Sequence, residues 1–256
     1  MSASLPTVAI LAGGLATRLG AAAAATPKCL VDVNGEPFLL RQARLLASRG
    51  VTRVVVLAGH RGEQVAEARD RLPWPPGLEI SVRMDGPCLL GTAGAIRRAL
   101  AHLGDPFFVL YGDSYLACDH RAVHARFVAS TMPALMTIHR NENRWEPSNV
   151  ESDGRIVRHY DKRAPTGRMR HIDYGLGLFR AAVFDTLADG EAADLADLYA
   201  ALAARGQLAA HEVPERFYEI GSPRGLAELR DHLAGGTRLA TSPDAPSRPS
   251  AAEHPS

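Results

Sequence analysis

The chain has 256 residues, 46% hydrophobic and 22% charged, which is ordinary for a soluble globular protein. Its 29 Lys and Arg nearly balance 28 Asp and Glu, so neither a nucleic acid polymer nor a membrane is an expected partner. The three cysteines lack metal-type spacing, and no signal peptide or apolar run of about 18 residues is present. These features predict a cytoplasmic protein without structural disulfides.

Apolar runs alternate with helical patterns through the first half of the chain. Strands are predicted at 7–12, 51–58, 78–84, 106–111 and 134–139, and helices at 37–49, 62–72, 91–103 and 119–130. This alternation predicts an α/β fold around a mostly parallel sheet. Ligands bind at the carboxyl ends of the strands in such sheets, and Gly13, Gly14, Gly112 and Asp113 fall there.

The second half is less regular. Strands are predicted at 155–160, 170–179, 207–213 and 216–220, and a helix at 194–205. A last helix begins at Ser222-Pro223 and runs to about residue 233, because Ser can cap and Pro suits the first helical position. One domain is therefore expected over residues 1–234. The Ser-, Pro-, Ala- and Asp-rich segment 235–256 is predicted to be a disordered tail.

The stretch LAGGLATRLG at 11–20, followed by Thr26-Pro27-Lys28, carries the clearest chemistry. Paired glycines after a strand let the backbone approach phosphates, with free N–H groups facing them. Arg18 can grip a phosphate with two hydrogen bonds, and Lys28 adds a point charge. A glycine turn with surface cations is the alternative, but the combination favours a phosphate site.

Two common nucleotide motifs are excluded. A P-loop requires G-x-x-x-x-G-K-[ST], which the chain lacks. A Rossmann fingerprint requires G-x-G-x-x-G and an acidic residue after the second strand. Here that strand ends in Leu57-Ala58-Gly59-His60, which contains no carboxylate.

The segments LAGGLATRLG and TPKCLVDVNGEPFL closely resemble the signature of the sugar-nucleotide pyrophosphorylases, most of all the small guanylyltransferases acting on heptose or mannose 1-phosphates. Further segments follow in the family's order: LLGTAGAI at 89–96, LYGDSYL at 110–116, HYDK at 159–162, IDYGLGLF at 172–179 and YEIGSP at 218–223. The resemblance covers about residues 7–234. It implies a Rossmann-like, mixed but mostly parallel sheet of the nucleotide-diphospho-sugar transferase type, with a nucleotide-binding half (about 7–130) and a sugar-binding half (about 131–234).

The resemblance also implies transfer of a nucleotidyl group from an NTP, with GTP favoured, to a heptose or hexose 1-phosphate. Arg18, Lys28 and Lys162 would be the catalytic cations, and Asp113 and Glu219 would hold Mg²⁺. The implied nucleotide-binding residues are Leu11, Ala12, Gly13, Gly14, Thr17, Gly91 and Thr92. The implied sugar-binding residues are Asp161, Asp173 and Asn149.

Three positions depart from the family pattern. Ala16 stands where the family usually has Gly, Glu219 replaces Asp, and Asp173 replaces Asn. A carboxylate cannot donate hydrogen bonds as an amide can, so Asp173 predicts a changed preference for sugar hydroxyls. Structural alternatives also stand, with Thr92 as a helix cap and Asp113 as a turn residue.

A sugar phosphate is already an ionised nucleophile, so this chemistry needs no general base. Positioning and charge neutralisation would supply most of the acceleration. The alternatives are a uridylyl-, thymidylyl- or cytidylyltransferase for another sugar phosphate, and a regulator that binds sugar nucleotides without catalysis. The expected partners are the two substrates, and a homodimer is one candidate for the oligomeric state.

Overall fold

The computed structural model describes residues 4–14, 19, 26–86 and 88–239. Ala16, Thr17 and Arg18 lie outside the described residues, as does the part of the predicted tail at 240–256. In the segments that are described, no helix is long and apolar enough to cross a membrane.

Strands and helices alternate along the first half, as the sequence predicts. The elements in that half are β1 (Val8–Leu11), β2 (Asp32–Val33), β3 (Glu36–Pro37), α1 (Phe38–Ser48), β4 (Arg53–Ala58), α2 (Gly62–Arg71), β5 (Glu79–Met84), α3 (Gly91–Ala99), β6 (Phe107–Tyr111), β7 (Ser114–Tyr115), α4 (His120–Ser130) and β8 (Ala134–Arg140). The elements that follow are β9 (Val150–Ser152), β10 (Val157–Tyr160), β11 (His171–Phe179), α5 (Leu195–Ala204), β12 (Leu208–Glu212), β13 (Tyr218–Glu219) and α6 (Pro223–Leu239). Short 3-10 helices occupy Lys28–Leu30, Leu100–His102 and Ala181–Thr186.

The central sheet is mixed but mostly parallel around β1. Its main path runs β10-β9-β11-β6-β1-β4-β5, and β8 pairs with both β11 and β12. Strand β1 is parallel to β4 and β6, and β4 is parallel to β5, whereas β11 is antiparallel to β6. The predicted fold class is confirmed. The carboxyl ends of β1, β4, β5 and β6 therefore lie at one edge, where ligands bind in such sheets.

Side chains of the sheet alternate between two apolar clusters, one on each face. In β1, Val8 and Ile10 belong to the first cluster and Ala9 to the second. Helices α1 and α4 contribute to the first cluster, and α3 and α5 contribute to the second. Because both faces are buried, the central strands are nearly continuous apolar runs, such as the buried VVVLA at 54–58.

Short strands account for most of the differences from the sequence prediction. Strands β2 and β3 form a hairpin whose turn residues, Asn34 and Gly35, have φ values of 53° and 83°. Asn-Gly tolerates positive φ and is a strong hairpin signal, so the sequence could have predicted this turn. Strands β7 and β9 have two and three residues, which is too short for a periodic pattern.

The last helix extends further than the sequence predicts. Ser222 caps it as expected, since its Oγ accepts a hydrogen bond from the Gly225 N–H at 3.1 Å. However, α6 continues through Gly235-Gly236 to Leu239, so the helix includes the first five residues of the segment predicted as a tail. A glycine inside a helix costs only about 1 kcal/mol relative to alanine, which the preceding turns tolerate.

The ends of β1 and β6 approach each other very closely. Leu11 lies opposite Tyr111 in the register, and the Gly112 N–H donates to the Leu11 carbonyl at 3.0 Å. A Cβ at position 112 would lie 2.4 Å from that carbonyl oxygen. Glycine is therefore required there, and its close approach brings the following residue, Asp113, to the edge of the sheet.

We predict that Gly112→Ala lowers the free energy of unfolding by about 1–3 kcal/mol, because the methyl group must displace main chain. Urea unfolding of the variant and the wild type measures the change. Gly167→Ala is the matched control, since a Cβ there meets open space, and its effect should stay within about 0.5 kcal/mol. Equal urea midpoints for Gly112→Ala and wild type would contradict this, because the ends of β1 and β6 would then make room for the methyl group without loss of stability.

Candidate active site

A cavity of about 320 Å³ lies at the carboxyl ends of the parallel strands. Its wall contains six of the predicted nucleotide-binding residues, Leu11, Ala12, Gly13, Gly14, Gly91 and Thr92. The seventh, Thr17, lies outside the described residues. Apolar side chains complete much of the wall, among them Leu57, Leu89 and Ala95. A mostly apolar cavity of this volume with a few charged groups suits a small organic ligand.

The first residues of α3 lie in close contact with the loop before α5. Gly91 has a φ of +67°, and a Cβ there would lie 2.6 Å from the Ala193 carbonyl oxygen. The Thr92 hydroxyl donates to Asp194 Oδ1 at 3.0 Å and accepts the Leu195 N–H at 2.7 Å. Thr92 therefore caps α5 while it lines the cavity, which fixes this part of the wall.

Lys28 and Asp113 form an ion pair at the end of the cavity next to β6. Lys28 Nζ lies 3.0 Å from Asp113 Oδ2, and the two side chains are 19% and 30% exposed. Gly221 lies beside them, because a Cβ there would be 3.7 Å from Asp113 Oδ2 and 3.8 Å from Lys28 Nζ. Both charges remain accessible from the cavity, so a phosphate could take the place of the carboxylate on Lys28.

A buried glutamine from α1 fixes the turn that carries Asp113. Gln42 Nε2 donates to the carbonyls of Tyr111 at 3.2 Å and Ser114 at 2.8 Å. The residue is 1% exposed. Gln42 belongs to none of the sequence motifs, but a polar residue among the buried positions of FLLRQARLLA is a signal of such a role. Gln42 thus holds both sides of the Gly112-Asp113 turn.

Glu219 lies next to Asp113, although 106 positions separate them in the sequence. Strand β13 pairs with β7, which places Glu219 opposite Ser114, and the Ile220 N–H donates to the Asp113 carbonyl at 2.9 Å. Burial raises the pKa of Glu219 to about 7, and the carboxylates of Asp113 and Glu146 add to the increase while Lys162 opposes it. Neighbouring carboxylates repel each other, and a bound cation would relieve that repulsion.

A second cavity of about 360 Å³ adjoins the first. Tyr111 and Asp113 belong to the walls of both cavities. The wall of the second cavity also contains the predicted residues Lys162, Asp173, Asn149 and Glu219. The two cavities thus form one continuous site with Asp113 at the junction.

The side chain of Asp173 is 3% exposed, and both of its carboxylate oxygens have hydrogen-bond or ion-pair partners. Oδ1 accepts the Gly175 N–H at 3.0 Å, and Oδ2 accepts the Tyr160 hydroxyl at 3.3 Å and lies 3.5 Å from Lys162 Nζ. Lys162 Nζ also lies 4.9 Å from the centre of the Tyr111 ring. Asp173 therefore holds the Lys162 ammonium near the junction of the two cavities.

The other two residues predicted to contact a sugar differ in position. Asn149 lines the second cavity, and its Oδ1 accepts the Asp173 N–H at 2.9 Å, so its NH₂ group is the part that can serve a ligand. Asp161 lines a separate cavity of about 140 Å³. Its Oδ1 accepts the N–H groups of Arg163 and Ala164, which closes a turn on the surface.

The MobA-like NTP transferase domain matches the chain over residues 8–153, which is more than half of its length. The chain belongs to the MobA-like NTP transferase family. The matched segment contains every residue that lines the first cavity, including Asp113.

Several curated relatives of the chain are named as enzymes that act on sugar phosphates. It is 28% identical over 229 residues to a mannose-1-phosphate guanyltransferase beta-A from Xenopus laevis, covering 84% of this chain and 61% of that protein. It is 27% identical over 229 residues to an N-acetylmuramate alpha-1-phosphate uridylyltransferase from Neisseria meningitidis serogroup B, covering 88% of this chain and 97% of that one. The chain thus spans about three fifths of the Xenopus relative's length.

Solved structures share the fold of this chain. HddC from Yersinia pseudotuberculosis, complexed with GMP-PN, has a TM-score of 0.77 at 21% identity, covering 90% of this chain and all of that one. A structure from Bacillus anthracis whose title names a glucose-1-phosphate thymidylyltransferase has a TM-score of 0.73 at 20% identity. The match covers 89% of this chain and 94% of that one. At these identities the likeness establishes the fold alone.

The residues of the site fit Mg²⁺. Among the described residues, no cluster of three or more His, Cys, Asp and Glu side chains is suited to hold a metal by itself. Mg²⁺ keeps several waters and usually takes one or two carboxylates together with substrate phosphates. The adjacent Asp113 and Glu219, next to Lys28, match that requirement.

Both lysines of the chain line the two cavities. Of 29 Lys and Arg residues, 27 are Arg, and the two lysines are Lys28 and Lys162. Lysine presents a compact point charge where arginine presents a planar fork, so the two are not equivalent beside a phosphate. This bias towards arginine elsewhere in the chain is a sequence signal for both positions. Arg18 is the third predicted cation and lies outside the described residues.

We predict that Glu219 makes the stability of the metal-free protein fall as pH rises. Its pKa is raised from 4.5 to about 7, so the folded state holds the proton more tightly than the unfolded state does. The stabilisation from this proton is complete below pH 4.5 and is lost as pH rises through 7, by up to about 3 kcal/mol. Urea unfolding in a chelator between pH 4 and 8 measures it.

Glu219→Gln should remove this component, so its stability relative to wild type should increase as pH rises. Glu67→Gln, on an exposed part of α2, is the control and should follow the wild-type pH dependence. Parallel curves for wild type and Glu219→Gln would contradict the raised pKa.

Proposed function

We propose that the protein transfers a nucleotidyl group from an NTP to a sugar 1-phosphate, forming an NDP-sugar and pyrophosphate. The observation that carries this proposal is the pair of cavities, about 320 and 360 Å³, that meet at Tyr111 and Asp113. A glycine-rich loop and a Lys–Asp pair line the first, and Lys162 and Asn149 line the second. One cavity is suited to a nucleotide and the other to a phosphorylated sugar.

On the nucleotide side, the main chain of residues 11–14 and Gly91 would hold the base and ribose. Lys28 would bind the triphosphate, together with Arg18, which precedes it by ten positions in the sequence. Lys28 is supported by its position at the cavity, next to Asp113. The support for Arg18 is the sequence motif.

On the sugar side, Lys162 would bind the phosphate of the sugar, because it lies near Tyr111 at the junction of the cavities. The Asn149 amide would donate to a sugar hydroxyl. Asp173 would act mainly by positioning Lys162, because both oxygens of the Asp173 carboxylate already have partners within the protein. Asp161 was expected to contact sugar hydroxyls, but its position in a separate cavity gives that role no support.

The reaction brings two polyanions together, so cations must offset their repulsion. The phosphate of the sugar would attack the α-phosphorus of the NTP in line and expel pyrophosphate. Lys28 and Lys162 approach the junction from opposite cavities and would neutralise the two substrates. Asp113 and Glu219 would hold Mg²⁺, which would offset charge on the phosphates. Preorganised charge and orientation would provide most of the acceleration.

We propose GTP as the nucleotide and a mannose- or heptose-type 1-phosphate as the acceptor. The sequence motifs and the guanyltransferase from Xenopus laevis support this choice. The uridylyltransferase from Neisseria meningitidis, with similar identity, is the reason to test the base directly.

We predict that wild-type protein with Mg²⁺ releases pyrophosphate fastest from GTP with a mannose or heptose 1-phosphate. The assay crosses five NTPs with a panel of sugar 1-phosphates. Lys28→Ala and Lys28→Arg should each reduce turnover by about 10²–10³, because a preorganised charge is lost or misplaced. Arg69→Lys, a charge-conserving change on the exposed surface of α2, is the control and should keep full turnover.

Absence of pyrophosphate with every substrate pair would favour a regulator that binds sugar nucleotides. Faster turnover with UTP, dTTP or CTP would reject GTP but keep the reaction class. Full turnover of Lys28→Arg would show that a guanidinium serves equally well at this position.

We predict that Asp173→Asn raises the KM for the sugar 1-phosphate by about 10-fold and leaves the KM for the NTP nearly unchanged. The amide would release Lys162, which loses a charged partner. The double variant Asp173→Asn/Lys162→Ala should be no worse than Lys162→Ala alone, because Asp173 acts through Lys162. A changed ranking of sugars, with an unchanged KM for the best one, would show instead that Asp173 contacts sugar hydroxyls directly.

A further inference from the structure

The loop between β8 and β9, residues 141–149, forms part of the wall of the second cavity. Its residues in that wall are Glu146, Pro147 and Asn149. Both ends of the loop are held by hydrogen bonds to the chain at the start of β11. The Asn141 N–H donates to the Arg170 carbonyl at 3.1 Å, and the Asn149 N–H donates to the His171 carbonyl at 2.9 Å. Contacts of the loop tip, residues 145–147, therefore decide the shape of this part of the wall.

The main chain of the loop turns sharply before the tip. Glu142 and Asn143 have φ values of 47° and 60°, in the left-handed region that costs free energy for residues other than glycine. The buried Asn141 side chain supports the turn, since its Oδ1 accepts the Trp145 N–H at 3.2 Å and its Nδ2 donates to the Glu146 carbonyl at 2.6 Å. These bonds hold the main chain but leave the Trp145 ring 42% exposed.

The Arg216 guanidinium packs on the Trp145 ring. Its Cζ lies 3.6 Å from the centre of that ring, which is van der Waals contact with the face of the indole. The same atom lies 4.8 Å from the centre of the Tyr218 ring. Glu228, on α6, forms an ion pair with Arg216 that restrains its direction. Arg216 therefore joins the loop tip to β13 and α6.

The segment that carries Arg216 is fixed without help from the loop. Phe217, the next residue, is 7% exposed, and the centre of its ring lies 6.1 Å from that of Tyr174 in the core. Pairing of β13 with β7 then holds Glu219. The segment can thus support the loop tip, and loss of the Arg216 side chain should free the tip while Glu219 stays in place.

We infer that Arg216 is a positioning residue for the sugar 1-phosphate, because its contact with Trp145 holds the loop tip at the second cavity. This inference rests on the proposed function for the identity of the ligand. Without the contact, the tip would become ordered only when the ligand binds, and that cost would lower the affinity for the sugar phosphate. The NTP should bind as before, since the described residues that line the first cavity come from other parts of the chain.

We predict that Arg216→Ala raises the KM for the sugar 1-phosphate by about 3–10-fold, the worth of a partly exposed cation–π contact. The kcat, the KM for the NTP and the Mg²⁺ concentration for half-maximal rate should stay within about 2-fold of wild type. Arg216→Lys keeps the charge but loses the planar stack, so it should behave like Arg216→Ala. Trp145→Leu should do the same, whereas Trp145→Tyr keeps a ring and should restore most of the wild-type KM. Pyrophosphate release measures these constants.

Arg224→Ala is the matched control. Arg224 also pairs with Glu228, at 2.9 Å, and its side chain is 82% exposed. Its removal takes away the same charge but leaves Arg216 on the Trp145 ring, so the KM for the sugar 1-phosphate should stay near the wild-type value. An equal rise in Arg224→Ala and Arg216→Ala would overturn the inference, because charge rather than stacking would then be responsible. So would a large rise in the Mg²⁺ requirement of Arg216→Ala, which would mean that Glu219 had moved.

The contact can also be measured without substrates. The chain has two tryptophans, so Trp74→Phe leaves Trp145 as the single fluorescent reporter. In that background, Arg216→Ala should increase the quenching of Trp145 by acrylamide towards that of a free tryptophan side chain. Unchanged quenching would contradict the stack, and increased quenching with an unchanged KM for the sugar 1-phosphate would contradict its role.

Calorimetry separates this inference from the proposed function. Mannose 1-phosphate is titrated into wild type and Arg216→Ala with Mg²⁺ and a non-hydrolysable NTP analogue present, after urea unfolding has shown that the variant is folded. If it is not folded, Arg216→Lys and Trp145→Leu replace it. Weaker binding by the variant without pyrophosphate release from wild type would reject the proposed reaction and retain the inference. Equal affinities would reject the inference alone, and a wild type that binds no sugar 1-phosphate would reject both.

Discussion

The hydrogen bond from the Gly112 N–H to the Leu11 carbonyl sets the geometry on which the site depends. It requires that no side chain stand between β1 and β6, and it ends both strands at the same level of the sheet. The turn that follows is held by Gln42, so Asp113 projects where the two cavities meet. A shift of one residue in this register would move Asp113 to the opposite face, because side chains alternate along a strand.

Charge is balanced within the site before any substrate binds. Lys28 is paired with Asp113, and Lys162 is paired with Asp173, so neither ammonium depends on water alone. Such pairs contribute little net stability, but they hold the charges in position. A phosphate that enters either cavity meets an oriented cation. Glu219 is the exception, because burial and its carboxylate neighbours raise its pKa. Its ionised form is therefore destabilised, which favours binding of a cation beside it.

The parts of the fold that the sequence predicted are those buried on both faces. Strands such as β4 and β6 are continuous apolar runs because each face packs against a helix layer, and the flanking helices show apolar positions at helical spacing. The strands that escaped prediction, β2, β3, β7 and β9, are two or three residues long and are defined by their partners. Their sequences carry too few residues for a periodic pattern.

The sequence by itself determined the α/β class, the glycine-rich loop with its cations, and the identity of the chemical groups, because these depend on residue type and local spacing. Only the tertiary structure decided which of those groups meet. It brought Glu219 to Asp113 through a two-residue strand pair and turned Asp173 towards Lys162. It also placed Asp161 outside both main cavities. These relations join residues far apart in the chain, and long-range packing, which leaves no local pattern, fixes them.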